Sequence, residues 1–151
     1  MGYLTAFKIG SSALQAQRLR LDIISNNIAN AETTRTEEGG PYQRQDVLFS
    51  TNNNQTSFSQ LMMVPASVSE DAVNLNGVSV SEIITDANPG TRVYDPTHQD
   101  ADEDGYVTYP NVNLVVEMTN MLSASRSYEA GLSIVDSAKQ MALKAIDIGN
   151  A

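Results

Sequence analysis

The sequence predicts an α+β fold: long N- and C-terminal helices that pair as a coiled-coil-like helical domain, with a small β-rich insert between them. Three observations carry this. Apolar residues recur every seven positions in both terminal stretches. All five prolines lie between those stretches. The middle also holds an Asn-Gly pair with alternating apolar and polar residues on both sides. The expected division is a helical part over 1–31, an insert over 32–110 and a second helical part over 111–151.

The first helix is expected from about Leu4 to Asn30. Phe7, Leu14, Leu21 and Ile28 recur every seven residues, and Ile24 and Ala31 extend a companion row that Gly10 and Gln17 interrupt. A narrow seam of this period is suited to lie against another helix. At 1.5 Å per residue the helix spans roughly 40 Å. The second helix is expected from about Val112 to Ile148, roughly 55 Å by the same rise. Leu114, Met121, Tyr128, Val135 and Ala142 form one row, and Met118, Ser125, Leu132, Lys139 and Ile146 the other. Asn111 or Asn113 can cap its start, and Gly149 can end it.

Between the helices, Val73 to Val80 reads as a hairpin around Asn76-Gly77, because a type I′ turn needs positive φ at both central positions. Tyr42 to Phe49 reads as a strand, Ser81 to Thr85 and Arg92 to Tyr94 extend the sheet, and Thr51 to Ser59 is a polar loop. The ends of the chain are expected to meet and the middle to project.

Composition excludes several functions. The net charge of −9 is unevenly spread. Residues 1–31 carry Lys8, Arg18, Arg20 and Asp22, a net +2, whereas residues 32–111 carry thirteen acids and three arginines, a net −10. Nucleic acid is not expected as a partner, since phosphates need a basic footprint. There is no cysteine, hence no disulfide, thiolate metal site or cysteine nucleophile. The start MGYLTAFKIG lacks the charged and apolar regions of a cleaved secretory signal, and no apolar run reaches the length of a membrane span.

Two candidate sites need weighing. In HQDADEDGYVTYPN, Asp100, Asp102 and Asp104 alternate ahead of Gly105, as in the first half of an EF-hand loop. The twelfth place, which should hold a bidentate glutamate, is Asn111, and Pro89 and Pro96 exclude the entering helix. These three aspartates are the candidates for a metal; a solvated acidic turn is the simpler reading. His98, the one histidine, lies between Asp95 and Asp100 without a nucleophile elbow, phosphate loop or zinc motif nearby. No catalytic residue and no cofactor is expected. Two long helices with narrow seams make a poor isolated fold, because helix stability comes from packing. The expected role of Phe7, Leu14, Leu21, Ile24 and Ile28, with Leu114, Met118, Met121, Tyr128, Leu132, Val135, Ala142 and Ile146, is an assembly interface.

The stretch LDIISNNIANAETTRT, Leu21 to Thr36, resembles the bacterial flagellar axial proteins, the rod, hook and hook-associated components. Ser25, Asn26, Asn27, Ile28, Ala29 and Asn30 form the family's SNNIAN-type motif. The other end, Val115 to Gly149, is similar to the family's C-terminal helix, with Glu117-Met118, Met121, Ser125, Arg126, Tyr128 and Glu129 among the matching letters. EGGPYQRQDVLF and VYDPTHQDADEDGYVTYPNVN, together with the short length, point to the proximal rod branch. The resemblance implies a non-enzymatic subunit of the periplasmic flagellar basal-body rod, the drive shaft around the export channel. Implied partners are the other proximal and distal rod proteins, the MS-ring-side adaptor protein and the flagellar type III export apparatus, without direct membrane insertion. In that setting Asn26, Asn27 and Asn30 are expected to shape the helix exit, and DADEDG to join the insert to the last helix. A calcium-binding interaction module built on the DADEDG loop is the alternative function.

Overall fold

A computed structural model describes residues 2–37, 39–51 and 77–149. In chain order these form α1 (Gly2–Ala29), β1 (Gln45–Thr51), β2 (Val78–Thr85), β3 (Arg92–Tyr94), β4 (Tyr106–Thr108) and α2 (Leu114–Gly149). The α+β class holds, and both helices fall within about two residues of the expected bounds. Asn113 starts α2: its Oδ1 accepts from the Val115 and Val116 amides at 3.0 and 3.2 Å.

The two helices lie side by side and antiparallel. Val135 packs at Gly10 and Leu14 at Gly131, so four residues along α1 match four back along α2. Further on, Asn27 meets Glu117. The row of α2 turned to α1 is Glu117, Ala124, Gly131 and Ala138, and it is mostly small. A Cβ at Gly131 would stand 3.1 Å from Leu14 Cδ2, and one at Gly10 2.6 Å from Val135 Cγ2. Glycine and alanine at these places let the axes come close.

β1 and β2 form an antiparallel ribbon, from Gln45 opposite Thr85 to Thr51 opposite Val78, with a bulge at Leu48/Phe49 that leaves Ser81 over. The ribbon runs along α1. At one end the Gln45 amide donates to Asn27 Oδ1, and at the other the Val78 amide donates to Ser12 Oγ. Fifteen helical residues span about 22 Å, and seven strand residues about 23 Å, so the lengths match. The middle therefore does not project as expected; this part of it lies against α1. The reason is that Ala16 and Ile23, on the Ser12 side of α1, are apolar and need cover, and both are buried.

β3 and β4 make a second, separate two-stranded sheet, whereas the sequence suggested one extended sheet. Val73 to Asn76 of the expected hairpin, and most of the expected polar loop, lie outside the described residues. Val78 to Val80 pairs with β1 across a long connection.

Candidate functional site

The last turns of α1 and the first turn of α2 meet around a buried polar cluster. Asn27 has no solvent exposure and Glu117 has 1%. Asn27 Nδ2 donates to the Gln45 carbonyl at 2.7 Å and to Glu117 Oε2 at 3.2 Å. Its Oδ1 accepts from the Tyr42 hydroxyl at 2.9 Å and from the Gln45 amide at 3.0 Å. All four hydrogen-bonding positions of that amide are thus filled. Arg44 places Nε and Nη2 each 3.0 Å from Glu117 Oε1, and its Nη1 lies 3.4 Å from Asp46 Oδ2. Three segments distant in sequence (α1, the loop into β1, and α2) are joined by side chains that each satisfy the others.

The electrostatics follow from burial. Desolvation alone would depress the Arg44 guanidinium, but the hydrogen bond and charge of Glu117, with Asp46 behind, outweigh it and hold it above its ordinary value. The Tyr42 phenol is pushed above its ordinary 10.0 by burial first, and by the Glu117 charge second.

The rest of the SNNIAN-type motif acts locally. Ser25 Oγ donates to the Leu21 carbonyl, and Asn30 Nδ2 donates to the Asn26 carbonyl and Oδ1. Thr33 Oγ1 donates to Asn30 Oδ1. These bonds satisfy carbonyls at the end of the helix. The asparagines do it without left-handed backbone, since among the described residues only glycines have positive φ. Asn26 and Ala29 are exposed, and Ile28 and Asn30 are half-buried.

The acidic loop is tied down by other groups. Thr34 Oγ1 donates to Asp100 Oδ2 at 2.7 Å, and Arg35 lies 3.7 Å from Asp100 Oδ1. Asp102 Oδ1 accepts from the Asp104 and Tyr106 amides, and its Oδ2 from Arg92 at 2.6 Å. Those amides, Tyr106 first, hold its carboxyl below the ordinary range, with Arg92 adding to them. Gly105, at φ 78°, makes the turn that only glycine adopts freely. Asp100, Asp102 and Asp104 do not converge on one point, and among the described residues no group of three acids or histidines is placed to hold a metal ion. Nor does DADEDG join the insert directly to α2, because β4 intervenes. His98 is half-buried, its Nδ1 accepts the Asp100 amide at 3.1 Å, and its ring meets Tyr109 edge-on.

The expected interface residues divide. Ile24 is buried, Leu14 and Val135 pack at the glycines opposite, and Leu21, Ile28, Met121, Tyr128 and Ala142 are half-buried. Phe7, Leu114, Met118, Leu132 and Ile146 are exposed. So are Val115, Val116, Leu122, Ile134, Met141, Leu143 and Ile148, which the heptad rows did not include. Of the other matching letters, Ser125 is half-buried, while Arg126 and Glu129 face solvent. The close pair uses small residues at the centre of its seam and turns much of the apolar bulk outward. Arg44 and Tyr42 were not foreseen as site residues, and Glu117 only as a matching letter. The available signal was a lone acid in register with Ala124, Gly131 and Ala138.

Comparison with known proteins agrees along the whole chain. The family profile described as "Flagella basal body rod protein" matches residues 7–35, and that described as "Flagellar basal body rod FlgEFG protein C-terminal" matches 103–148. Asn27 falls in the first and Glu117 in the second. The chain is 43% identical to the flagellar basal-body rod protein FlgC of Borreliella burgdorferi, over 98% of each chain. It is 42% identical to that of Bacillus subtilis, over 97% of this chain and 99% of the relative. With the FlgC of Escherichia coli O157:H7 the identity is 36% over 99% of each.

Proposed function

The chain belongs to the FlgC family of flagellar basal-body rod proteins, and from that premise we propose that it is a structural subunit of the proximal part of the rod, assembling with its own copies and with other rod proteins through its terminal helices. The observation that carries this reading is the uncovered apolar surface of α2. Met118, Leu132, Ile134, Met141 and Ile146 are each more than half exposed. A large apolar surface of this kind marks an interaction site. An open helical polymer needs head-to-tail contacts that do not close, and a long helix with apolar flanks spreads such contacts over its length. Residues 1–31 and 111–151 form the rod-core part in this reading, with coiled-coil-like packing among neighbours, and 32–110 the insert. The proposal extends to a drive-shaft role, a position around the export channel, contact with the adaptor at the MS ring and export by the type III apparatus. Among the described residues no helix is long and apolar enough to cross a membrane.

The test uses Leu132→Asp and Ile134→Asp in a flagellated host whose own rod gene is replaced. Expected are loss of the protein from isolated basal bodies and loss of motility, with helical content of the purified chain unchanged. Normal incorporation of both variants would defeat the reading. The calcium-module alternative predicts heat on titration with millimolar calcium that disappears in Asp102→Ala/Asp104→Ala.

A further inference from the structure

We propose that the cluster of Asn27, Glu117 and Arg44 sets the register of the α1/α2 pair, holding at one position a seam that could otherwise slide by a heptad. The inference concerns the single chain and does not rest on the rod assignment. The inner row of α2 repeats every seven residues as Glu117, Ala124, Gly131, Ala138. Three of the four are alanine or glycine, which offer α1 nearly the same surface. Moving α2 by one heptad, about 10.5 Å, brings Ala138 opposite Leu14 in place of Gly131. It adds one methyl at that level, where the nearest atom is the far end of a leucine. Shape discriminates poorly at that level, and the one steric preference lies at the other glycine, where Val135 would leave Gly10 and come opposite Gln17.

Hydrogen bonding discriminates strongly. In the shifted register Ala124 stands opposite Asn27, and the amide loses the carboxylate that accepts from its Nδ2. Glu117 is carried away from both Arg44 nitrogens and from Asn27. Asn27 would stay in the seam with one donor unpaired, which is disfavoured, and Glu117 would lose the Arg44 counter-charge. A single buried polar residue at a seam position is known to specify register in paired helices, at a cost in stability. Here the polar residue is also bonded to the backbone of Gln45, so the same contact fixes where the β1–β2 ribbon begins along α1.

The chain has no cysteine, so an engineered pair forms the sole disulfide. Leu14→Cys with Gly131→Cys reports the observed register, and Leu14→Cys with Ala138→Cys the shifted one. On oxidation of the purified full chain, the first pair should close at least about tenfold faster than the second. In an Asn27→Leu/Glu117→Leu background that preference should fall at least about threefold, to what the Gly10–Val135 fit alone sustains, with helical content by circular dichroism unchanged. A persisting tenfold preference in that helical background overturns the proposal. Should the apolar background lose its helicity, the comparison is read in Asn27→Ser/Glu117→Gln, which keeps both positions polar. An unchanged preference there also overturns it. Loss of helicity in both backgrounds does so too, because the cluster would then maintain the fold and not its register.

Discussion

Glu117 has almost no water around it, and its charge is carried by two Arg44 nitrogens and one amide. Arg44→Ala leaves that carboxylate buried without its counter-charge. We expect a loss of about 3–5 kcal/mol in urea unfolding, as is usual when one partner of a buried pair is removed. Glu117→Gln, which keeps the shape, should cost less. Tyr42 gives the cluster an alkaline limit. Its phenol is held above the ordinary 10.0 by burial first and by the Glu117 charge second. The stabilisation is therefore fully present below pH 10 and is lost as pH rises through the raised value. Tyr42→Phe should cost about 1 kcal/mol at neutral pH and flatten the alkaline decline in stability, measured by denaturant midpoints across pH 8–12. Almost none of this was legible in the sequence. Four polar residues spread from 27 to 117 become neighbours only once the chain has folded, and no spacing rule connects them.

Among the elements, the helix seam allows a sharp comparison. A Cβ at Gly131 meets the end of a flexible leucine, whereas at Gly10 it meets a methyl of Val135. Valine on a helix has one strongly preferred rotamer and cannot yield. Gly131→Ala should therefore be neutral or gain up to about 1 kcal/mol from helix propensity. Gly10→Ala should lose about 1–3 kcal/mol to overpacking; thermal unfolding separates the two. The β3–β4 hairpin depends on Asp102 in its charged form. Its pKa is lowered in the fold, so the contribution is present above the ordinary 3.8 and lost as pH falls through the depressed value. Acid should loosen the edge-on contact of Tyr94 and Tyr106, which lie 5.2 Å apart, and near-ultraviolet circular dichroism reports it. Asp102→Ala should show the same change at neutral pH. The helices and β3 were legible because period and proline placement act locally. β4 was not, since Tyr106 to Thr108 directly follows an acidic turn that reads as the run into the last helix, and it acquires strand geometry from its partner.

For the molecule as a whole, α1 and α2 are unequally covered. α1 is packed by α2 and by the β1–β2 ribbon, and its outer line, Lys8, Ser11, Gln15, Arg18, Asp22 and Asn26, is polar. α2 has α1 on one side and apolar residues on its free flanks. Leu132→Asp and Ile134→Asp should thus change the free chain's stability by less than about 0.5 kcal/mol while abolishing assembly; urea unfolding and basal-body composition check the two halves. The heptads made a helical pair legible, but not which rows face outward. That depends on how close the axes come, and small residues decide it. The exposed flanks also bear on the subunit's life before it is placed. Dispersed in solvent, such a surface invites clumping, so the time and concentration at which unincorporated copies persist are constrained as strictly as their shape.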